Sequence, residues 1–262
     1  MNVDQTGFGV DVGGSSVKGG CVDLRTGQII GDLIKIPTPR QATPTAIAEI
    51  VARIVERSEW SGALGICVPT VVADGVVRTA ANIDSTWIGT DSRQLFSESL
   101  GGREVFVLND ADCAGIAEIS FSESVLDELT IVLTFGTGIG SAIFQRGILL
   151  PNSELGHLEV DGVLAENRAA ASVKNRDNLS FAEWAIEVSR VLHRIEILLC
   201  PTRFIVAGGI SRDHEKWIPL LCNETPVHPA RFLDTAGVVG AALMSARGVV
   251  RSPRVLATTG LG

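Results

Sequence analysis

The sequence predicts an α/β fold of two lobes facing a central cleft. Three observations carry that expectation. Strand-like and helix-like runs alternate along the whole chain. A hairpin built around a glycine-rich turn occurs over residues 8–36 and again over 129–145. The 262 residues, 45% of them hydrophobic, supply ample material for burial. Length alone admits one large domain equally, and the two hairpins are too unlike in sequence to prove a duplication.

The first segment reads as an antiparallel meander: Phe8 to Val12, the turn Gly13-Gly14-Ser15-Ser16, Val17 to Leu24, the Thr26-Gly27 turn, and Ile29 to Ile36. A helix follows from Thr43 to Ser58. There Ile47, Ile50, Val51, Ile54 and Val55 recur at helical spacing behind a Thr43 cap, with Pro44 at the first helical position. Apolar runs predict strands over Leu64 to Val72 and Val76 to Ala81, a helix over Ser92 to Leu100, and a strand over Glu104 to Leu108. Asn109-Asp110 opens the next helix, with Asp110 and Asp112 in a first turn whose dipole favours negative charge. A lobe boundary is expected there. Leu129 to Phe135 and Gly140 to Gln145 flank Gly136-Thr137-Gly138, and Phe181 to Leu199 is a long helix. Arg203 to Val206 is a strand ending in Gly208-Gly209 ahead of another helix, and Thr235 to Arg247 is a small-residue helix in which Gly237 and Gly240 allow close packing.

A net charge of −8 argues against a protein that coats nucleic acid or an anionic membrane, because both repel an acidic surface. The sequence holds no apolar stretch long enough to span a bilayer, and its first residues lack the pattern of a signal peptide, so a cytoplasmic address is expected. Cys21, Cys67, Cys113, Cys200 and Cys222 form no C-x-x-C pair and read as reduced core residues.

Asp11-x-Gly13-Gly14-x-x-x-Lys18 places a carboxylate at a strand end, backbone that a ligand can approach, and a cation across the turn. Such a turn can aim N–H groups at phosphate oxygens while Asp11 holds magnesium through water; alone, it reads equally as a tight hairpin. Thr137 and Gly138 sit in a second turn of G-x-G-x-G spacing followed by a strand, which disfavours a dinucleotide site. A third turn, Ala207-Gly208-Gly209, suits a nucleotide or polyphosphate tail. Asn109-Asp110 is either a helix cap or a catalytic carboxylate at a cleft. Glu154, His157, Glu159 and Glu166 bring acceptors and a two-way hydrogen-bonding ring into one region, better suited to polyol recognition than to a metal.

Together these residues resemble the ROK family of bacterial sugar kinases and sugar-responsive repressors, and its polyphosphate-using glucokinases in particular. The resemblance runs in order through FGVDVGGSSVKGG, GVVRTAANIDSTWIGT, VLNDADCAG, LTFGTGIGSA, PNSELGHLEV, AENRAAASVK, AGGISRDHEKWIPLL and DTAGVVGAA. It implies an actin-like ATPase (ribonuclease H-like) fold, with a small lobe of residues 1–109 completed by a C-terminal helix over 234–262, and a large lobe of residues 110–233. It implies Asp110 as general base and Asn109, Asp110, Glu154, His157 and Glu166 as ligands of the sugar. The phosphoryl-donor site would comprise Asp11, Gly13, Gly14, Ser15, Lys18, Thr137, Gly138, Gly208 and Gly209, with Asp11 facing magnesium. Glucose as acceptor, polyphosphate or ATP as donor, and a homodimer follow from the same resemblance.

Three departures from the family pattern stand out. No cysteine lies between His157 and Glu166, so no zinc is expected. Thr70 replaces a usual glycine, and Thr tolerates positive φ poorly; Ala207 replaces the first glycine of the third turn. A repressor would carry a DNA-binding domain ahead of the first turn, where only ten residues precede Asp11. A strictly ATP-dependent gluco/mannokinase and a silent sugar sensor are the remaining alternatives. Lys174, Arg176, Arg212 and Lys216 are candidates for a basic groove along polyphosphate, or plain surface charges.

Overall fold

Phe8, Val10 and Val12 alternate along β1 (Thr6–Val12) and are buried, which fixes one face of that strand to a core. The computed structural model describes residues 5–81, 83–122 and 128–247. Residues 248–262 of the expected C-terminal helix, and Asn82 within its motif, lie outside the described residues.

β1 pairs antiparallel with β2 (Ser16–Asp23), and β2 with β3 (Ile29–Pro37). α1 (Pro44–Arg57) then crosses over, with the Thr43 hydroxyl accepting from Ala46 N and the expected apolar residues buried. β4 (Leu64–Val68) lies parallel to β1 and ends where Pro69 removes the N–H the ladder needs. The run to Val72 is therefore not one strand. β5 (Val72–Ala73) and β6 (Val76–Val77) form a separate hairpin. Its turn residues Asp74 and Gly75 have φ of 53° and 84°, as a two-residue primed turn requires, and the strand expected to reach Ala81 stops at Val77. α2 (Ser92–Ser99) leads to β7 (Val105–Asn109), parallel to β4, and α3 (Asp110–Ser120) follows directly.

The second sheet repeats this plan. β8 (Leu129–Phe135), β9 (Ile139–Gln145) and β10 (Ile148–Leu150) form the meander. The small hairpin β11 (Glu159–Val160) with β12 (Val163–Leu164) and the helices α4 (Ala165–Ala169), α5 (Ala171–Arg176) and α6 (Phe181–Leu199) intervene before β13 (Arg203–Ala207). β13 runs parallel to β8 and to β14 (Val227–Pro229), and α7 (Ala236–Arg247) closes the described chain. The two sheet orders are β3-β2-β1-β4-β7 and β10-β9-β8-β13-β14. The expected helix after the third glycine turn is instead a 3-10 segment over Gly209–Lys216, broken at Asp213.

Each sheet has its own core. Phe8, Ile54, Trp87 and Phe96 anchor the first, and Phe135, Trp184 and Trp217, with ring centroids 4.9 to 6.1 Å apart, anchor the second. α7 packs on β1 and β4, and α3 packs on both α7 and β9. The contact between these helices is backbone-close: a Cβ on Gly240 would sit 1.8 Å from the Cys113 carbonyl oxygen, so only glycine fits. Cys67, Cys113 and Ala241 form a small apolar joint there. All five cysteines are free, but Cys200 and Cys222 are exposed rather than core residues. Cys200 ends α6 in a left-handed conformation that turns it to solvent.

Candidate active site

A cleft of about 690 Å³ opens between the two sheets. Its lining joins Gly13, Gly14 and Ser15 of the β1–β2 turn, Thr137 and Gly138 of the β8–β9 turn, and Gly208 beyond β13. The same cleft is lined by Asn109, Asp110, Glu154, His157 and Glu166. Asp11, Lys18 and Gly209 are not among the lining residues.

The turns are fixed by their own backbone. Gly13 N donates to Ser16 O at 3.1 Å, and the Thr38 hydroxyl donates to Gly13 O at 2.6 Å. In the second turn Gly136 N donates to Gly138 O at 3.0 Å, while the Ser172 hydroxyl from α5 donates to Thr137 O at 2.6 Å. Gly208 has φ of 90°, and a Cβ there would lie 2.3 Å from Phe135 O, so the third turn docks directly on the second.

Asp110 stands at the junction of β7 and α3. Asn109 caps the helix, its Oδ1 accepting from Ala111 N (2.8 Å) and Asp112 N (3.1 Å), while its Nδ2 donates to Thr70 O at 3.2 Å. Cap and cleft residue are thus compatible roles for this pair. Burial, and then the negative charges of Asp11 and Glu154, push the Asp110 carboxyl up to about 7, although it accepts a bond from Ala111 N. Asp112, which sequence reasoning treated only as a helix-dipole residue, is fully buried and also raised to about 7, chiefly by burial.

In the same cleft, His157 lies between two carboxylates, Nδ1 3.8 Å from Glu154 Oε2 and Nε2 3.6 Å from Glu166 Oε1. Burial raises Glu154 above the usual carboxylate range, His157 lowers it, and Glu166 raises it. Ser141 of β9 anchors this segment, accepting from Leu155 N at 2.9 Å and donating to Ser153 O at 2.7 Å. Together these groups form a polar wall of donors and acceptors beside a carboxylate poised near neutrality.

Asp11 and Lys18 pair with each other at 3.4 Å behind the first turn. Asp11 also accepts from the Cys67 thiol at 3.3 Å, and Lys18 donates to Asp234 O at 3.2 Å. Among the described residues no group of three or more His, Cys, Asp or Glu is placed to hold a metal. The four candidates for a basic groove all have partners. Lys174 lies 4.3 Å from the Phe181 ring centroid, Arg176 pairs with Asp177, Arg212 with Asp234, and Lys216 with Asp213.

Residues 7–172 match the ROK family. The chain belongs to the ROK family. Polyphosphate glucokinase of Mycobacterium tuberculosis (strain ATCC 25618 / H37Rv) is 54% identical over 240 residues, 91% of each chain. Among solved structures, the inorganic polyphosphate/ATP-glucomannokinase of Arthrobacter sp. strain KM superposes with a TM-score of 0.88 at 41% identity, covering 92% of this chain and 98% of that one. A ROK family glucokinase from Streptomyces griseus, solved with glucose and AMPPNP, shares the fold with a TM-score of 0.80 at 24% identity, covering 93% and 100% of the two chains. The fold is that of the actin-like ATPases.

Within that ROK frame the two glycine replacements fit the backbone. Thr70 is not among the residues with positive φ; its N–H turns back to Val68 O at 2.8 Å, so the expected strain is absent. Ala207 simply ends β13 in register with Thr134. Signals for the other cleft residues were present but undirected: Thr79, Thr134 and Ser141 line the cleft from positions that sequence alone gives no reason to favour.

Proposed function

We propose that the protein is a glucokinase that transfers a phosphoryl group from inorganic polyphosphate, and also from ATP, to the 6-hydroxyl of glucose. One observation carries the mechanism: Asp110, raised to about 7, lies in the same cleft as the glycine turns and the Glu154-His157-Glu166 wall. Asn109, Glu154, His157 and Glu166 bind the sugar hydroxyls, each of which needs both a donor and an acceptor. Asp110 accepts the proton of O6 as that oxygen attacks the terminal phosphorus, and the bridging P–O bond breaks to release the shortened polyphosphate or ADP. Backbone N–H groups of the Gly13–Ser15 and Thr137–Gly138 turns stabilise the charge on the transferred group.

Asp11 next to Lys18 suits a water-mediated hold on magnesium better than direct coordination, and its charge reaches Asp110. Magnesium carried on the donor phosphates would neutralise charge on the phosphoryl oxygens. A small lobe of residues 1–109 with the C-terminal helix, a large lobe of 110–233, a cytoplasmic setting and a homodimer complete the proposal. Among the described residues no helix is long and apolar enough to cross a membrane.

The partnered state of Lys174, Arg176, Arg212 and Lys216 favours a second reading, a strictly ATP-dependent gluco/mannokinase. A coupled glucose 6-phosphate assay decides between them. Turnover with both donors is expected; turnover with ATP alone supports the second reading, and turnover with neither removes both.

A further inference from the structure

Two asparagines grip the same stretch of the first-sheet unit from different sides. Asn109, at the start of α3, donates to Thr70 O. Asn152, which leaves β10 of the second sheet, accepts from Val72 N at Oδ1 (3.0 Å) and donates from Nδ2 to Val72 O (2.9 Å). One side chain thus satisfies both backbone groups of Val72, as a neighbouring strand would. Its own N–H donates to Asp112 Oδ2 at 2.8 Å, which returns the chain of bonds to α3. The circuit runs from Asp112 through Asn152, Val72, Thr70 and Asn109 back to the helix that begins with Asp110.

Asn152 is absent from the cleft lining, so it has no direct path to a ligand. Val72 belongs to the core of the first sheet, whereas Asn152 leads through Ser153 into Glu154 and His157. The clasp therefore ties the segment after Pro69 and Thr70 to the segment that leads into Glu154 and His157, all four of which line the cleft. Asn152 holds φ of 59°, a region that asparagine enters more readily than most residues with a side chain. Its two side-chain bonds need both the carbonyl and the amide of a carboxamide of this length.

We propose that Asn152 is a positioning residue: its clasp on Val72 sets the separation between the Glu154–His157 wall and the Pro69–Thr70 wall, and so the place of the sugar relative to Asp110. The inference rests on the glucokinase reading, and the test separates the two. Glucose binding is measured by calorimetry without donor, and KM and kcat are measured with donor, on the wild type, Asn152→Gly and Asn152→Asp. Glycine keeps the positive φ and removes both bonds; aspartate keeps the size and the acceptor but loses the donor. Asn152→Gly should weaken glucose binding and raise glucose KM roughly 10-fold or more, with donor KM within about twofold of the wild type. Asn152→Asp should weaken glucose binding as well, because a carboxylate oxygen then faces the Val72 carbonyl, and serves alone if the glycine variant does not fold. Unchanged glucose binding in the variants, with only a lower Tm, overturns the inference and leaves the function standing. Absence of glucose binding by the wild type overturns both.

Discussion

The two sheets share one strand order, three antiparallel strands followed by two parallel ones, and each carries a glycine turn between its first two strands. They differ in what fills the crossovers. In the first half, α1 and α2 lie between the parallel strands and line no cleft, and the cleft acid comes only where β7 delivers Asp110 into α3. In the second half, the crossover between β10 and β13 carries Glu154, His157 and Glu166, and the equivalent strand end, β14, leads to α7 without a cleft-lining acid. A repeated frame thus supplies two glycine turns, while Asp110 and the Glu154-His157-Glu166 wall come from one half each.

The comparison breaks most sharply at Asp110, the proposed base. Asp110→Asn should lower kcat by roughly 10²-fold or more with either donor. Because the wild-type carboxyl is raised to about 7, the folded state holds a proton that the unfolded chain releases near the ordinary carboxylate value. Stability is lost as pH rises through that window, so the same variant should gain Tm over the wild type at pH 8 and much less at pH 4. A variant with near-normal turnover would falsify the assignment.

Next come the turns themselves. Gly208→Ala meets both a positive φ and the Phe135 carbonyl, and should cost about 2–4 kcal/mol in urea unfolding. Gly14→Ala has no atom within 4 Å of its new methyl group and should stay within about 0.5 kcal/mol of the wild type while raising donor KM. Equal stability losses at the two sites would mean that the turns are interchangeable scaffold.

A smaller effect tests the coupling across the cleft. Glu154→Gln removes a negative charge that raises Asp110, so the acid limb of the kcat/KM profile should move to lower pH. An immobile limb would separate the two carboxylates electrostatically. The smallest change is expected at Asp234→Asn, just ahead of α7, where the exposed pair with Arg212 offers little; kcat should change by less than about twofold.

The meanders, α1 with its Thr43 cap, α6 and the strand-end position of Asp110 were all legible in the sequence, because local periodicity and caps decide them. Three features were not. The apolar run from Leu64 to Val72 hides its break, since buried residues lie on both sides of Pro69 and only the Asp74-Gly75 pair signals the hairpin. The segment after Gly208 has the polar look of a helix start, yet Asp213 leaves helical geometry and Pro219 follows soon after. Asp11 and Lys18 face each other across the β1–β2 hairpin, but the second partner of Lys18, the Asp234 carbonyl oxygen, arrives over 200 residues later, just ahead of α7. The Glu154-His157-Glu166 group was legible as composition; its place relative to Asp110 depends on how two sheets meet.

The cysteines give this chain a built-in clock. Cys200 and Cys222 face solvent and should react at once with a thiol reagent, whereas Cys67 and Cys113 are sealed where β4, α3 and α7 meet, with burial among the causes that raise their thiols. The slow phase of labelling therefore times how often that joint parts, and saturating sugar or donor should lengthen it if either ligand draws the halves together.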